Sequence, residues 1–194
     1  MQARLAAKNL SCRRGDRLLF TGLDLAVEAG GALQVRGANG VGKSSLMRLL
    51  AGLARPFAGT VERVGGVALV DERLALDEHA PLGEALAFWH RLDGCNDPSA
   101  ALQTMALDEL VDVPVRYLST GQRKRAAFAR LLDSGAPVWL LDEPLNGLDS
   151  AAQHTVEALI ANHVVAGGIC VVASHQAIAL PEGADAIELG GTCA

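Results

Sequence analysis

Aromatic side chains are scarce: four Phe, two Trp and one Tyr make up 4% of the 194 residues. A platform for stacking successive bases is therefore not expected. Positive charge is also short, with 17 Lys and Arg against 22 Asp and Glu and a formal net charge of −5, so the chain has no electrostatic grip on a nucleic-acid backbone. Closely spaced cysteines are missing. Cys12, Cys95, Cys170 and Cys193 form no Cys-x-x-Cys pair and no Cys-x-x-Cys-His haem attachment. No apolar leader with a cleavage site precedes them, and they read as reduced cytosolic thiols. Apolar runs such as residues 138–141 and 169–173 fall far short of the ~20 residues that span a bilayer. A role at a membrane must come through a partner.

What is present is a 50% hydrophobic, 20% charged composition with 21 Gly, which suits one compact domain with a Leu/Val/Ala core and many turns. Residues 5–35 read as several short strands, with Leu23, Leu25 and Val27 alternating with Asp24 and Ala26. Leu46, Leu49, Leu50 and Leu53 then follow the i, i+3, i+4, i+7 stripe of a helix, with Gly52 as its stop signal. Residues 74–115 read as a small helical insert, carried by Leu82, Ala85, Leu86 and Trp89, with a loop at residues 94–98. Beyond it, residues 122–132 and 151–165 are expected as helices, and 138–141 and 169–173 as buried strands. Such alternation implies an α/β fold whose parallel sheet is covered on both faces.

Gly37-Ala38-Asn39-Gly40-Val41-Gly42-Lys43-Ser44 is a P-loop placed between a strand and a helix. Its backbone N–H groups, with Ser45 following, can wrap phosphate oxygens at a helix N-terminus. Lys43 is expected to reach the β- and γ-phosphates of ATP, and the Ser44 hydroxyl to bind Mg²⁺. The apolar residues 138–141 run into Asp142 and Glu143, which puts both carboxylates at the sheet's edge beside the P-loop. Asp142 is expected to hold Mg²⁺, and Glu143 to orient or deprotonate water. Ser119-Thr120-Gly121-Gln122 opens a helix and forms a second anion-facing terminus. The basic run Arg123-Lys124-Arg125 reads as a solvated helix face, and the five scattered histidines as surface residues, His175 aside.

Two phosphate-facing termini in one chain resemble the arrangement of the ATP-binding cassette ATPases: these strings look like that family's signature motif, Walker B, D-loop and switch histidine. The resemblance implies a P-loop NTPase cassette occupying residues 1–194, with a mostly parallel core sheet. An N-terminal antiparallel β subdomain and a helical subdomain at about residues 74–118 complete it. It implies a head-to-tail homodimer on ATP binding, each ATP lying between one P-loop and the partner subunit's Ser119–Gln122 string. Asp149 becomes the D-loop acid and His175 the γ-phosphate switch, making Lys43, Glu143 and His175 the catalytic set. Three positions depart from the family pattern: Glu72, after Asp71, stands where a Q-loop glutamine is usual; Arg14 stands where an aromatic often stacks on adenine; and Ala38 and Thr120 replace commoner small residues.

Residues 9–12, 19–23, 48–53, 117–132, 134–139 and 174–176 resemble one branch in particular, the haem-exporter ATPases of bacterial cytochrome c maturation. That branch implies separate transmembrane subunits as partners and a peripheral position on the cytoplasmic face of the inner membrane. No nucleic acid and no direct haem binding are expected. An exporter ATPase for another substrate and a soluble, non-transport cassette ATPase are the alternatives; a nucleotide kinase would leave the Ser119–Gln122 string without a purpose.

Overall fold

The computed structural model describes residues 2–94 and 99–190; Cys95, Cys193 and the rest of the expected loop at residues 95–98 lie outside them. The elements in chain order are β1 (Arg4–Arg14), β2 (Arg17–Glu28), β3 (Ala32–Arg36), α1 (Lys43–Ala51), β4 (Ala58–Val64), β5 (Val67–Val70), α2 (Leu82–Asp93), α3 (Ser99–Thr104), α4 (Thr120–Asp133), β6 (Val138–Asp142), α5 (Ser150–Val165), β7 (Ile169–Ala173) and β8 (Asp185–Glu188). Single 3₁₀ turns at Asp108–Leu110 and Val115–Tyr117 complete the helical insert.

Two sheets result. β2, β1 and β4 form an antiparallel sheet in that order, and the second sheet runs β5-β6-β7-β3-β8 with every pairing parallel. β6 and β7 are buried at all five positions, as central parallel strands must be when both faces are covered. Their side chains alternate between two cores. Val138, Leu140, Ile169 and Val171 join α1 and the antiparallel sheet, packing on Leu46, Met47, Leu49 and Leu50. Trp139, Leu141, Cys170 and Val172 join α4, α5 and the helical insert around Phe128.

Three expectations change. The short strands of residues 5–35 are two long ones plus β3, and the register shifts at Ala7/Leu10, Leu10/Cys12 and Cys12/Arg13 explain why the alternation looked broken. Leu53 lies outside α1 and is 71% exposed. Gly52 takes the left-handed position there, with Leu53 N–H donating to Arg48 O and Gly52 N–H to Leu49 O, the hydrogen-bond pair of a Schellman stop. Two histidines are not on the surface: His90 is buried with Nε2 3.0 Å from Asp133 Oδ2, and His163 stacks on Trp139 at 3.8 Å. Burial pushes the pKa of His163 down, against hydrogen bonds to Ile169 and Pro137 carbonyls.

Candidate functional site

β6, β7 and β3 are neighbours, and their carboxyl ends point the same way. From β3 the chain enters the loop at residues 37–42; from β6 it reaches Asp142 and Glu143; from β7 it reaches Ser174 and His175. Parallel strands thus gather segments more than 130 residues apart at one edge, where α/β proteins bind ligands. The cleft there encloses about 530 Å³, and its lining includes Asn39, Gly42, Lys43, Ser44, Ser45, Glu72, Glu143 and His175.

Gly42 precedes α1 with φ 118°, and no side chain caps the helix, so first-turn N–H groups are left for a ligand or water. A Cβ at Gly42 would sit 3.2 Å from the Leu19 Cβ and 3.3 Å from the Phe20 ring. The start of β2 therefore packs against the loop. Lys43 Nζ donates to Gly37 O at 2.8 Å and Ala38 O at 3.3 Å, and stands 3.7 Å from Glu143 Oε1. Its side chain is 6% exposed, so the charge is nearly desolvated and acts strongly on any anion entering the cleft.

Glu143 has φ 47°, a left-handed conformation that costs a non-glycine residue on the order of 1–3 kcal/mol. Its backbone N–H donates to Ala173 O at 2.8 Å, and its carboxylate accepts from the His175 N–H at 3.2 Å and meets His175 Nδ1 at 2.8 Å. With Glu143 ionised, that last contact requires the proton on Nδ1, leaving Nε2 of a neutral ring as an acceptor.

Asp142 is 3% exposed, and its Oδ1 has no hydrogen-bond partner among the described residues. Burial pushes its pKa up; the hydrogen-bonded Ser44 hydroxyl and, more weakly, Lys124 pull it down, while Glu143 and Asp71 push it further up. An orphaned carboxylate oxygen beside a hydroxyl is a donor set that suits Mg²⁺, a hard cation that takes one or two protein oxygens and fills its shell with phosphate and water.

The Ser119–Gln122 string stands apart from this cleft. Ser119 Oγ accepts from Gln122 N–H at 3.2 Å, and Gln122 Oε1 accepts from Ser119 N–H at 2.8 Å, closing a capping box at the start of α4. None of the four residues lines the cleft. Asp149 is also elsewhere: it caps α5, accepting from Ala152 N–H at 2.8 Å.

Two sequence readings are refined. Glu72 does line the cleft, whereas Asp71 turns away to Arg48 at 3.0 Å. The basic run is not a solvated face. Arg123 donates to Leu118 O and Arg116 O, Lys124 to Glu143 O at 3.1 Å, and Arg125 to Met105 O and Ala106 O. Arg14 lines the cleft as expected, and so do Arg17, Leu19 and Asn146, which sequence reasoning missed. Arg17 was discoverable, because Gly15-Asp16 is a two-residue hairpin turn that pairs it with Arg14.

The ABC transporter family profile matches residues 20–146. Among similar proteins, one from Novosphingobium aromaticivorans is 60% identical over 176 residues, covering 91% of both chains. Another from Zymomonas mobilis is 56% identical over 177 residues, covering 91% of this chain and 80% of the relative. Both carry the name cytochrome c biogenesis ATP-binding export protein CcmA. Among solved structures, a metal-chelate type ABC transporter in an inward-facing conformation superposes with a TM-score of 0.76 at 27% identity, covering 91% of this chain and 74% of that one. An ABC transporter ATP-binding protein from Pyrococcus furiosus shares the fold, with a TM-score of 0.80 at 21% identity over 96% and 97% of the two chains. The chain belongs to the ATP-binding cassette transporter family, as one of its ATP-hydrolysing subunits.

Proposed function

We propose that this chain is the ATPase of a haem exporter serving c-type cytochrome maturation. The observation that carries the haem assignment is the 60% identity to a CcmA protein across 91% of both chains. Family members work with transmembrane partners and dimerise; here the partners are separate membrane subunits, with the chain peripheral at the cytoplasmic face of the inner membrane. The full chain acts as one cassette, with residues 74–118 as its helical subdomain.

The chemistry follows from the cleft. Lys43 and the N–H groups of residues 37–45 bind the ATP phosphates, and Arg14 packs on the base through its planar guanidinium. Ser44 and Asp142 would hold Mg²⁺, which would offset the negative charge of the ATP phosphates. Glu143 takes the proton of the attacking water, and His175 fixes that carboxylate and contacts the γ-phosphate side. Glu72, at the Q-loop position, faces the same space. Ser119, Thr120, Gly121 and Gln122 serve the nucleotide of the partner subunit, with Asp149 at the dimer junction; their separation from the P-loop cleft supports this division. Haem remains with the membrane subunits.

The test is genetic. Lys43→Ala in the native host should abolish covalent c-type cytochromes while b-type cytochromes persist, as read by haem staining of membranes. Normal c-type staining in a null strain with no second gene copy would sink the haem assignment and leave the ATPase standing.

A further inference from the structure

Lys124 has no part in the chemistry above, yet it reaches the centre of the site. It lies in the second turn of α4, and consecutive helical residues leave the axis about 100° apart. Arg123 and Arg125 accordingly turn toward the 3₁₀ turn at Val115–Tyr117 and the end of α3, while Lys124 points under the end of β6. There its ammonium donates to the Glu143 carbonyl at 3.1 Å. Burial pushes its pKa down, and the charges of Asp142, Glu72, Asp71 and Glu143 oppose that shift. The other cations nearby are engaged: Lys43 with the P-loop carbonyls and Glu143 Oε1, and Arg48 with Asp71.

The Glu143 carbonyl matters because of the backbone it belongs to. With φ at 47°, the peptide is in a region that a glutamate does not occupy unless its surroundings hold it. Its N–H is held by Ala173 O at 2.8 Å, and its carbonyl by Lys124 at 3.1 Å and more loosely by Asn146 N–H at 3.4 Å. Fixing both peptide groups fixes the Cα–Cβ direction, which brings the carboxylate within 3.7 Å of Lys43 and 2.8 Å of His175.

We infer that Lys124 is a positioning residue for hydrolysis: its hydrogen bond to the Glu143 carbonyl holds the catalytic carboxylate in aim. This rests on the ATPase reading of Glu143. The donor is what matters for aim, so a neutral donor should largely replace the ammonium, whereas an apolar side chain of the same length should not.

The experiment compares Lys124→Gln and Lys124→Met in the chain purified with its membrane subunits, measuring kcat, KM for ATP and melting temperature. The expected result is a kcat about tenfold lower for Lys124→Met, with KM within threefold of wild type. Lys124→Gln should stay within threefold of wild type in kcat. In a Glu143→Gln background, single-turnover hydrolysis should change less than twofold on adding Lys124→Met, because both act through one carboxylate. A Lys124→Met kcat within twofold of wild type overturns the inference. So does an equal loss in both variants that tracks a lowered melting temperature, or a full further loss in the Glu143→Gln background. If Glu143→Gln itself hydrolyses ATP like wild type, the ATPase reading of that residue fails too.

Discussion

The two anion-facing helix ends of this chain are built in opposite ways. At α1 the residue before the helix is Gly42, no side chain caps it, and Lys43 folds back on the loop's own carbonyls. At α4 a capping box ties Ser119 and Gln122 to each other's backbone. An open terminus beside a desolvated lysine is a binding site in its own right. A closed terminus has already satisfied its first donors and offers only what remains exposed, which suits the proposed role of serving a ligand that the partner's P-loop holds. Under the proposed function, the contrast divides residues assigned to capturing nucleotide from those assigned to completing its surroundings.

The largest effect should come from breaking the chemistry of the open end without touching capture. Glu143→Gln should retain ATP binding and lose hydrolysis by about 10²-fold or more, since the amide cannot take a proton; phosphate release and nucleotide titration measure the two separately. Lys43→Ala comes next. Losing charge-assisted bonds worth about 1.5–3 kcal/mol should weaken ATP binding roughly 10- to 150-fold, and an unchanged affinity would remove the P-loop from its role.

Ser119→Ala tests the closed end. It should cost about 1 kcal/mol of stability, or roughly 2–4 °C in melting temperature, while ATP affinity of the isolated subunit stays within twofold. Hydrolysis should fall only in the assembled dimer, and mixing with Lys43→Ala subunits should leave one composite site intact. Gly121 is a poorer target, because a Cβ there would sit 2.7 Å from Gly147 O and so would disturb the loop before Asp149 as well.

The smallest effect is one of pH. Burial raises the pKa of Asp142, so its ionised form costs folding stability above its folded pKa. That cost vanishes as pH falls through the folded value toward the unfolded one. Mg²⁺-dependent nucleotide affinity, which needs the ionised form, should weaken by about a few fold as pH falls through the folded pKa. Asp142→Asn should flatten the profile, measured with and without chelator, whereas Ser119→Ala should leave its shape unchanged.

The open end was legible because residues 37–45 are contiguous and their composition is dictated by backbone approach to phosphate. The end of β6 was legible for a similar reason: an uninterrupted apolar run stops at the sheet edge, so Asp142 follows without knowledge of packing, whereas His175, after β7, was marked only by the family resemblance. Direction was not legible. Arg123, Lys124 and Arg125 read as one charged run, yet they diverge to five backbone carbonyls on three separate segments, because a helix spreads neighbours around its axis. His90 was unreadable for a related reason, since its partner Asp133 lies on another helix. Short β4 and β8 were missed because their mostly exposed positions carry no apolar alternation.

The scarcity of aromatics has an optical consequence. One tryptophan sits in each half of the molecule. Trp89 belongs to α2 of the helical insert, its indole N–H donating to Ala75 O and its ring lying 3.6 Å beneath the Arg130 guanidinium. Trp139 lies in the central sheet, stacked within 8° of parallel on the His163 ring. Native fluorescence therefore divides into two channels with different neighbours. Replacing either indole with Phe isolates the other, giving an unlabelled recording of whether the insert shifts against the core when nucleotide arrives.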